Sequence, residues 1–209
     1  MSRVFILTEA TTPASLVMAL QEAIASVSDA EIKIVNSEGL ERLESGTEDI
    51  ICPLTLSLPP DLSFAGREVY RACADVTGMR SWVESLDYGT GTGEYWLPIV
   101  LTAKGPLYGE AIGRETASQD YQQPIHFPDE VRQPLYALAY QVLRRFEAIP
   151  SVYFLQFSVR DRGIIFDCLY PFPIESAIAS LGVQTPDLLT CHWLCLTQQP
   201  ILDLVVKPH

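Results

Sequence analysis

Residues 151–173 constrain the fold of this 209-residue chain more than any other stretch. Two runs rich in aromatic and β-branched residues flank a short polar turn that ends at Gly163, and the second run closes on Pro171, Phe172 and Pro173. Runs of this kind around a glycine turn predict an antiparallel hairpin. The prolines end it, because proline offers no N–H to a strand ladder. Just upstream, Leu135, Leu138, Ala139, Val142, Leu143 and Phe146 recur at helical spacing. They predict a helix over residues 129–148, with Asp129 as its cap and Pro134 in its first turn.

The first sixty residues carry a different pattern. Residues 4–7 and 49–52 are short apolar runs, residues 31–35 alternate, and Leu16, Val17, Leu20, Ala23, Ile24 and Val27 form one helical stripe. Residues 37–45, with Leu40 and Leu43 on one side, read as a second short helix. Strand, helix, strand, helix, strand predicts a parallel βαβ-like unit over residues 1–60. Thr11 or Thr12 is placed to cap the first helix, with Pro13 at its start. No Gly-x-Gly-x-x-Gly follows the first strand, so the dinucleotide fingerprint is absent. Residues 61–209 add a helix within 65–86, and strands near 94–102 and 107–113 about a Lys104-Gly105-Pro106 turn. A polar connection follows over 114–128. After Pro173 come short helices at 174–181 and 186–196. The fold class is α/β or α+β, in one compact unit.

Charge limits the partners. The formal net charge is −12, and all of the excess lies in residues 1–130, which hold 20 acidic and 8 basic side chains against 6 of each beyond. Nucleic acid binding needs a basic footprint, and so does an anionic membrane surface. Neither is expected. A solvated acidic surface, or a docking face for a basic protein partner, is. The N-terminus lacks the pattern of a signal peptide, and no apolar run approaches the roughly 20 residues of a membrane span. Five scattered cysteines, an odd number, fit free thiols in a reducing cytoplasm.

Four constellations bear on chemistry. Gly89, Gly91 and Gly93 form a run that serves either as a connector or as a phosphate cradle of freed amides. No lysine follows at phosphate-loop spacing, and Asp87 and Glu94 border the run. Cys191, His192 and Cys195 offer soft ligands for zinc. On a helix, however, His192 points about 100° away from the face shared by the two thiols, and a buried apolar stripe accounts for all three. Tyr88, Tyr95, Trp96, Tyr108 and Tyr121 are either core or anchors for a protein partner. Glu110, Glu115 and Asp167 are carboxylates that an enzyme would have to bring together.

The order helix, strand, turn, strand, Pro-x-Pro resembles the last lobe of ATP-grasp enzymes over residues 131–173. The resemblance implies that the two strands carry acids and an Asn that hold the Mg²⁺ ions bridging ATP phosphates, and Mg²⁺ demands hard oxygen ligands. The second strand of the family typically ends Glu-x-Asn-Pro-Arg-Pro. Matching the prolines sets Cys168 on the Glu, Tyr170 on the Asn and Phe172 on the Arg, and counting back from the turn sets Gln156 on the acid of the first strand. Asp167 is acidic but one residue out of step, which on a regular strand turns it to the other face. The family also places a lysine on an upstream strand, whereas Lys104 falls in a turn. The segment before residue 94 is short for a complete nucleotide-binding half. The resemblance therefore implies an ATP-grasp-like scaffold without its metal acids: a non-catalytic binding, regulatory or assembly factor, with ATP as its possible ligand and no catalytic or metal residue assigned. The alternative is a working ligase or small-molecule enzyme that uses carboxylates elsewhere.

Overall fold

The computed structural model describes residues 2–36, 39, 49–115, 118–161 and 163–207. A small parallel sheet has the order β2-β1-β3, from β1 (Arg3–Thr8), β2 (Glu31–Asn36) and β3 (Ile50–Pro53). Helix α1 (Ala14–Val27) crosses from β1 to β2. Val4 and Ile6 pack on the α1 stripe of Leu16, Leu20, Ala23 and Ile24, while Phe5 and Leu7 face the other way, toward Val35, Ile51, Leu58 and Leu62. Strand alternation thus gives β1 two buried faces, as its continuous apolar run requires. The cap of α1 differs from expectation. Pro13 itself stands at the N-cap without a side-chain bond, and the Thr12 hydroxyl instead accepts from the Glu9 amide at 3.0 Å. The helix expected over 37–45 lies almost wholly outside the described residues.

A larger mixed sheet runs β4-β10-β9-β5-β7-β8, with β6 on the side of β5. Its strands are β4 (Gly89–Thr90), β5 (Tyr95–Thr102), β6 (Gly105–Tyr108), β7 (Ala111–Arg114), β8 (Tyr121–Ile125), β9 (Ser151–Arg160) and β10 (Gly163–Tyr170). One face carries Trp96, Val100, Val152 and Phe154. It packs with α1 and with α5 (Leu188–Leu196) in a single core that includes Val4 and Ile6 of the small sheet. The opposite face carries Leu97, Ile99, Tyr153, Leu155, Phe157 and Phe166 under α4 (Asp129–Arg145). Pro128, not Asp129, is the N-cap of α4.

Three expectations need correction. The helix expected in 65–86 is two helices, α2 (Arg67–Ala74) and α3 (Val76–Glu84). The break falls at Asp75, whose carboxylate accepts the Gly78 amide at 2.9 Å and caps the second helix, the local bond by which Asp competes with a continuing helix. The strand expected near 107–113 is divided into β6 and β7, and it turns at Gly109, whose amide returns to the Pro98 carbonyl at 2.9 Å. The connection expected over 114–128 contains β8, which pairs with β7 and buries Gln123. Its polar composition hid it, because Gln123 satisfies its amide on the Glu110 carbonyl at 3.0 Å.

Candidate functional site

Strands β9 and β10 form the predicted antiparallel hairpin, with Gly163 opposite Arg160. The two positions matched to metal acids, Gln156 and Cys168, are direct cross-strand partners, and Tyr170 pairs with Phe154 farther along. The ladder slips between Phe166 and Cys168, leaving Asp167 as the extra residue of a β-bulge. A bulge lets two successive side chains emerge on one side. Asp167 consequently does not point to the opposite face, as strict alternation required. Its carboxylate accepts the Gly93 amide at 2.7 Å, while the Gln156 side chain donates to the Gly93 carbonyl at 2.9 Å. Sequence spacing cannot show a bulge, so this carboxylate was displaced in the expectation.

The glycine run is neither a loose connector nor a free cradle. Gly89 and Thr90 form an edge strand parallel to β10. Residues 91–94 then cross over the hairpin on the side that carries Gln156. The Gly91 amide donates to the Phe166 carbonyl at 2.9 Å, and the Glu94 amide to the Phe157 carbonyl at 2.9 Å. The Ser158 hydroxyl donates to the Thr92 carbonyl at 3.1 Å. Glycine is required at 93 by close approach: a Cβ there would stand 2.7 Å from the Phe157 nitrogen. The amides of Gly91 and Gly93 are thus spent on the protein itself and are not offered to a phosphate.

Beneath this strap the polar groups satisfy one another. Gln156 gives its N–H to Gly93, and its carbonyl accepts from the Cys168 thiol at 3.5 Å. Burial pushes the Cys168 thiol up to about 11, and the same cause raises Tyr170. Both are neutral at ordinary pH. The Arg80 side chain ion-pairs with the Asp167 carboxylate and also donates to the Asp167 backbone carbonyl at 2.9 Å and to the Gly91 carbonyl at 3.3 Å. An aromatic wall continues from there: Trp96 is the cross-strand neighbour of Gln156, Tyr121 meets its edge at 5.3 Å, and Arg114 donates to the Tyr121 hydroxyl at 2.7 Å. An amide, a neutral thiol and a neutral phenol do not suit Mg²⁺, which binds charged or strongly polar oxygens. The Asp167 carboxylate already holds a guanidinium.

The other candidates separate. Glu110 and Glu115 bracket the four residues of β7, about 17 Å apart at strand rise. Asp167 lies three strands away across the sheet, so these carboxylates do not converge. Cys191, His192 and Cys195 are buried in α5, and no group of three metal-ligating side chains occurs among the described residues. Cys191 meets the Pro186 carbonyl and Cys195 the Leu101 carbonyl, each at 3.5 Å. His192 turns elsewhere, toward Cys52 at 3.5 Å and Ser151 at 3.3 Å. Of the aromatic set, Trp96 is core and Tyr88, Tyr95, Tyr108 and Tyr121 are half-buried against it.

The small parallel sheet, the larger mixed sheet and the hairpin together make an ATP-grasp-like fold. Among solved structures, N5-carboxyaminoimidazole synthetase from Staphylococcus aureus, complexed with ADP, is similar with a TM-score of 0.74 at 9% identity, over 98% of this chain and 79% of that one. Glycinamide-RNase-transformylase T from Mycobacterium tuberculosis gives a TM-score of 0.68 at 14% identity, over 95% and 80%. N5-carboxyaminoimidazole ribonucleotide synthetase from Thermus thermophilus gives 0.72 at 11%, over 96% and 79%. No family model matches the chain, and no curated protein sequence matches it. At these identities the likeness is one of fold.

Proposed function

We propose that this chain is a degenerate ATP-grasp-like protein that acts by binding, as a regulatory or assembly factor, rather than by magnesium-dependent phosphoryl transfer. The observation that carries the reading is the closed network of Gln156, Cys168 and Gly93. At the positions where the family's ligands would stand, each polar group has a partner within the protein. The active ligase is the second reading, and the bulge favours it, because Asp167 reaches the side on which metal would sit. Arg80 weighs against it by neutralising that carboxylate. Calorimetric titration with ATP, with and without Mg²⁺, separates the two. The degenerate protein shows no magnesium-dependent gain in affinity. Tight binding that requires Mg²⁺ overturns that reading and restores the ligase.

The uneven acidic charge supports a basic protein as partner. Such a complex dissociates in moderate salt, and a partner retained unchanged at high salt argues against the acidic face. Five free, buried thiols support a reducing compartment, the cytoplasm. No helix among the described residues is long and apolar enough to cross a membrane.

A further inference from the structure

A cavity open to solvent lies away from the hairpin site. It measures about 500 Å³ and sits between the β5–β6 turn, the residues before β9 and the end of α5. Its floor is apolar: Ile149, Pro150, Leu196 and Ile201. Gln156 lies six residues up β9 from Pro150, so the two sites are about 20 Å apart at strand rise. The volume falls within the roughly 300–1,000 Å³ of small-molecule pockets, which pair apolar walls with a few placed polar groups.

Two features set this pocket apart from a packing defect. Lys104, one of three lysines in a chain of net charge −12, is the only charged residue in its lining among the described residues. The turn that carries Lys104 is held by local hydrogen bonds. The Lys104 amide donates to the Thr102 hydroxyl at 3.1 Å, and that hydroxyl donates to the Gly105 carbonyl at 2.9 Å. No ion pair involving Lys104 occurs among the described residues. The second feature is Gln198. Helix α5 ends in a Schellman motif, with the Gln198 amide on the Cys195 carbonyl at 3.0 Å and the Gln199 amide on the Leu194 carbonyl at 2.8 Å. Its left-handed residue is ordinarily glycine. Here it is Gln198, at φ 55°, and it lines the cavity. Of the five described non-glycine residues with positive φ, Gln198 is the one that lines the cavity.

We propose that this cavity binds a small apolar carboxylate, with Lys104 pairing to the carboxylate, the Gln198 amide beside it, and Ile149, Leu196 and Ile201 holding the hydrocarbon body. An ammonium over an apolar pocket selects an anionic head by a charge-assisted hydrogen bond. The site stands independently of whether the hairpin binds a nucleotide.

The test uses three probes of one chain length, namely octanoate, octanol and octylammonium, in calorimetric titrations against the full chain. Octanoate binds at least tenfold more tightly than octanol, and octylammonium more weakly than either. Lys104→Gln, an exposed turn substitution, lowers octanoate affinity five- to tenfold and leaves octanol unchanged. Ala103→Trp at the mouth weakens both, and competition by octanol for the octanoate site places them in the same cavity. Equal binding of octanoate and octylammonium overturns the proposal. So does octanoate affinity indifferent to Lys104→Gln, or no octanoate binding at millimolar concentration.

Discussion

Lowering the pH should destabilise this protein through one histidine. His192 is fully buried, and burial lowers its pKa to about 3. Its ring meets neutral groups from two strands: the Cys52 thiol of β3 at 3.5 Å, and on β9 the Ser151 hydroxyl at 3.3 Å and the Val152 amide at 3.5 Å. Burial pushes the Cys52 thiol up to about 12, so it supplies no charge to hold an imidazolium. In the unfolded chain the same ring titrates near 6.5. Between about pH 3 and 6.5 the unfolded state therefore binds one more proton than the folded state. Stability is fully present above the unfolded value and is lost as pH falls through this window, by about 1.4 kcal/mol per unit. From pH 7 to pH 5 the loss is about 2 kcal/mol, a large part of the roughly 5–15 kcal/mol of a typical domain. Urea unfolding at several pH values, followed by fluorescence of the buried Trp96 and Trp193 under reducing conditions, measures it. Above pH 5 most ordinary carboxylates, near 4, remain charged, so the slope reports on histidine. His192→Asn, which hydrogen bonds without titrating, flattens that slope. Equal slopes for wild type and variant between pH 5 and 6.5 would refute the reasoning.

Other substitutions probe the strap and the hairpin. Gly93→Ala sets a methyl against the Phe157 backbone, and denaturant unfolding should show a loss of about 1–3 kcal/mol, the usual cost of overpacking. Gln156→Glu turns a donor into a carboxylate facing the Gly93 carbonyl. It should destabilise by about 1–3 kcal/mol without creating magnesium-dependent nucleotide binding, and calorimetry checks the second part. Gln198→Gly relieves a left-handed residue and should leave stability equal or higher by up to about 1 kcal/mol, read from the urea midpoint.

How much of this was legible in the sequence depended on whether a signal was local. The hairpin, the Pro-x-Pro stop and the helix before it follow from periodicity and turn chemistry over twenty or so residues. They bring residues 151–160 beside 163–170, but the pairing of Gln156 with Cys168 follows only from the bulge. The parallel unit and the burial of its first strand on both faces were expected from the apolar run of residues 4–7, and the structure adds that β1 lies between β2 and β3. What escaped was decided by pairing across distance. The glycine run looked free because its partners, Phe166, Asp167 and Phe157, lie more than sixty residues away. Strand β8 looked like a connection because Gln123 and Gln122 read as polar until β7 takes their backbone. The bulge matters most for function. A single extra residue in β10 moved Asp167 from the far side of the sheet to a place between Gly93 and Arg80. Alternation has no term for that residue. The setting of Asp167 thus depends as much on a guanidinium from α3 and a backbone crossing as on the hairpin itself.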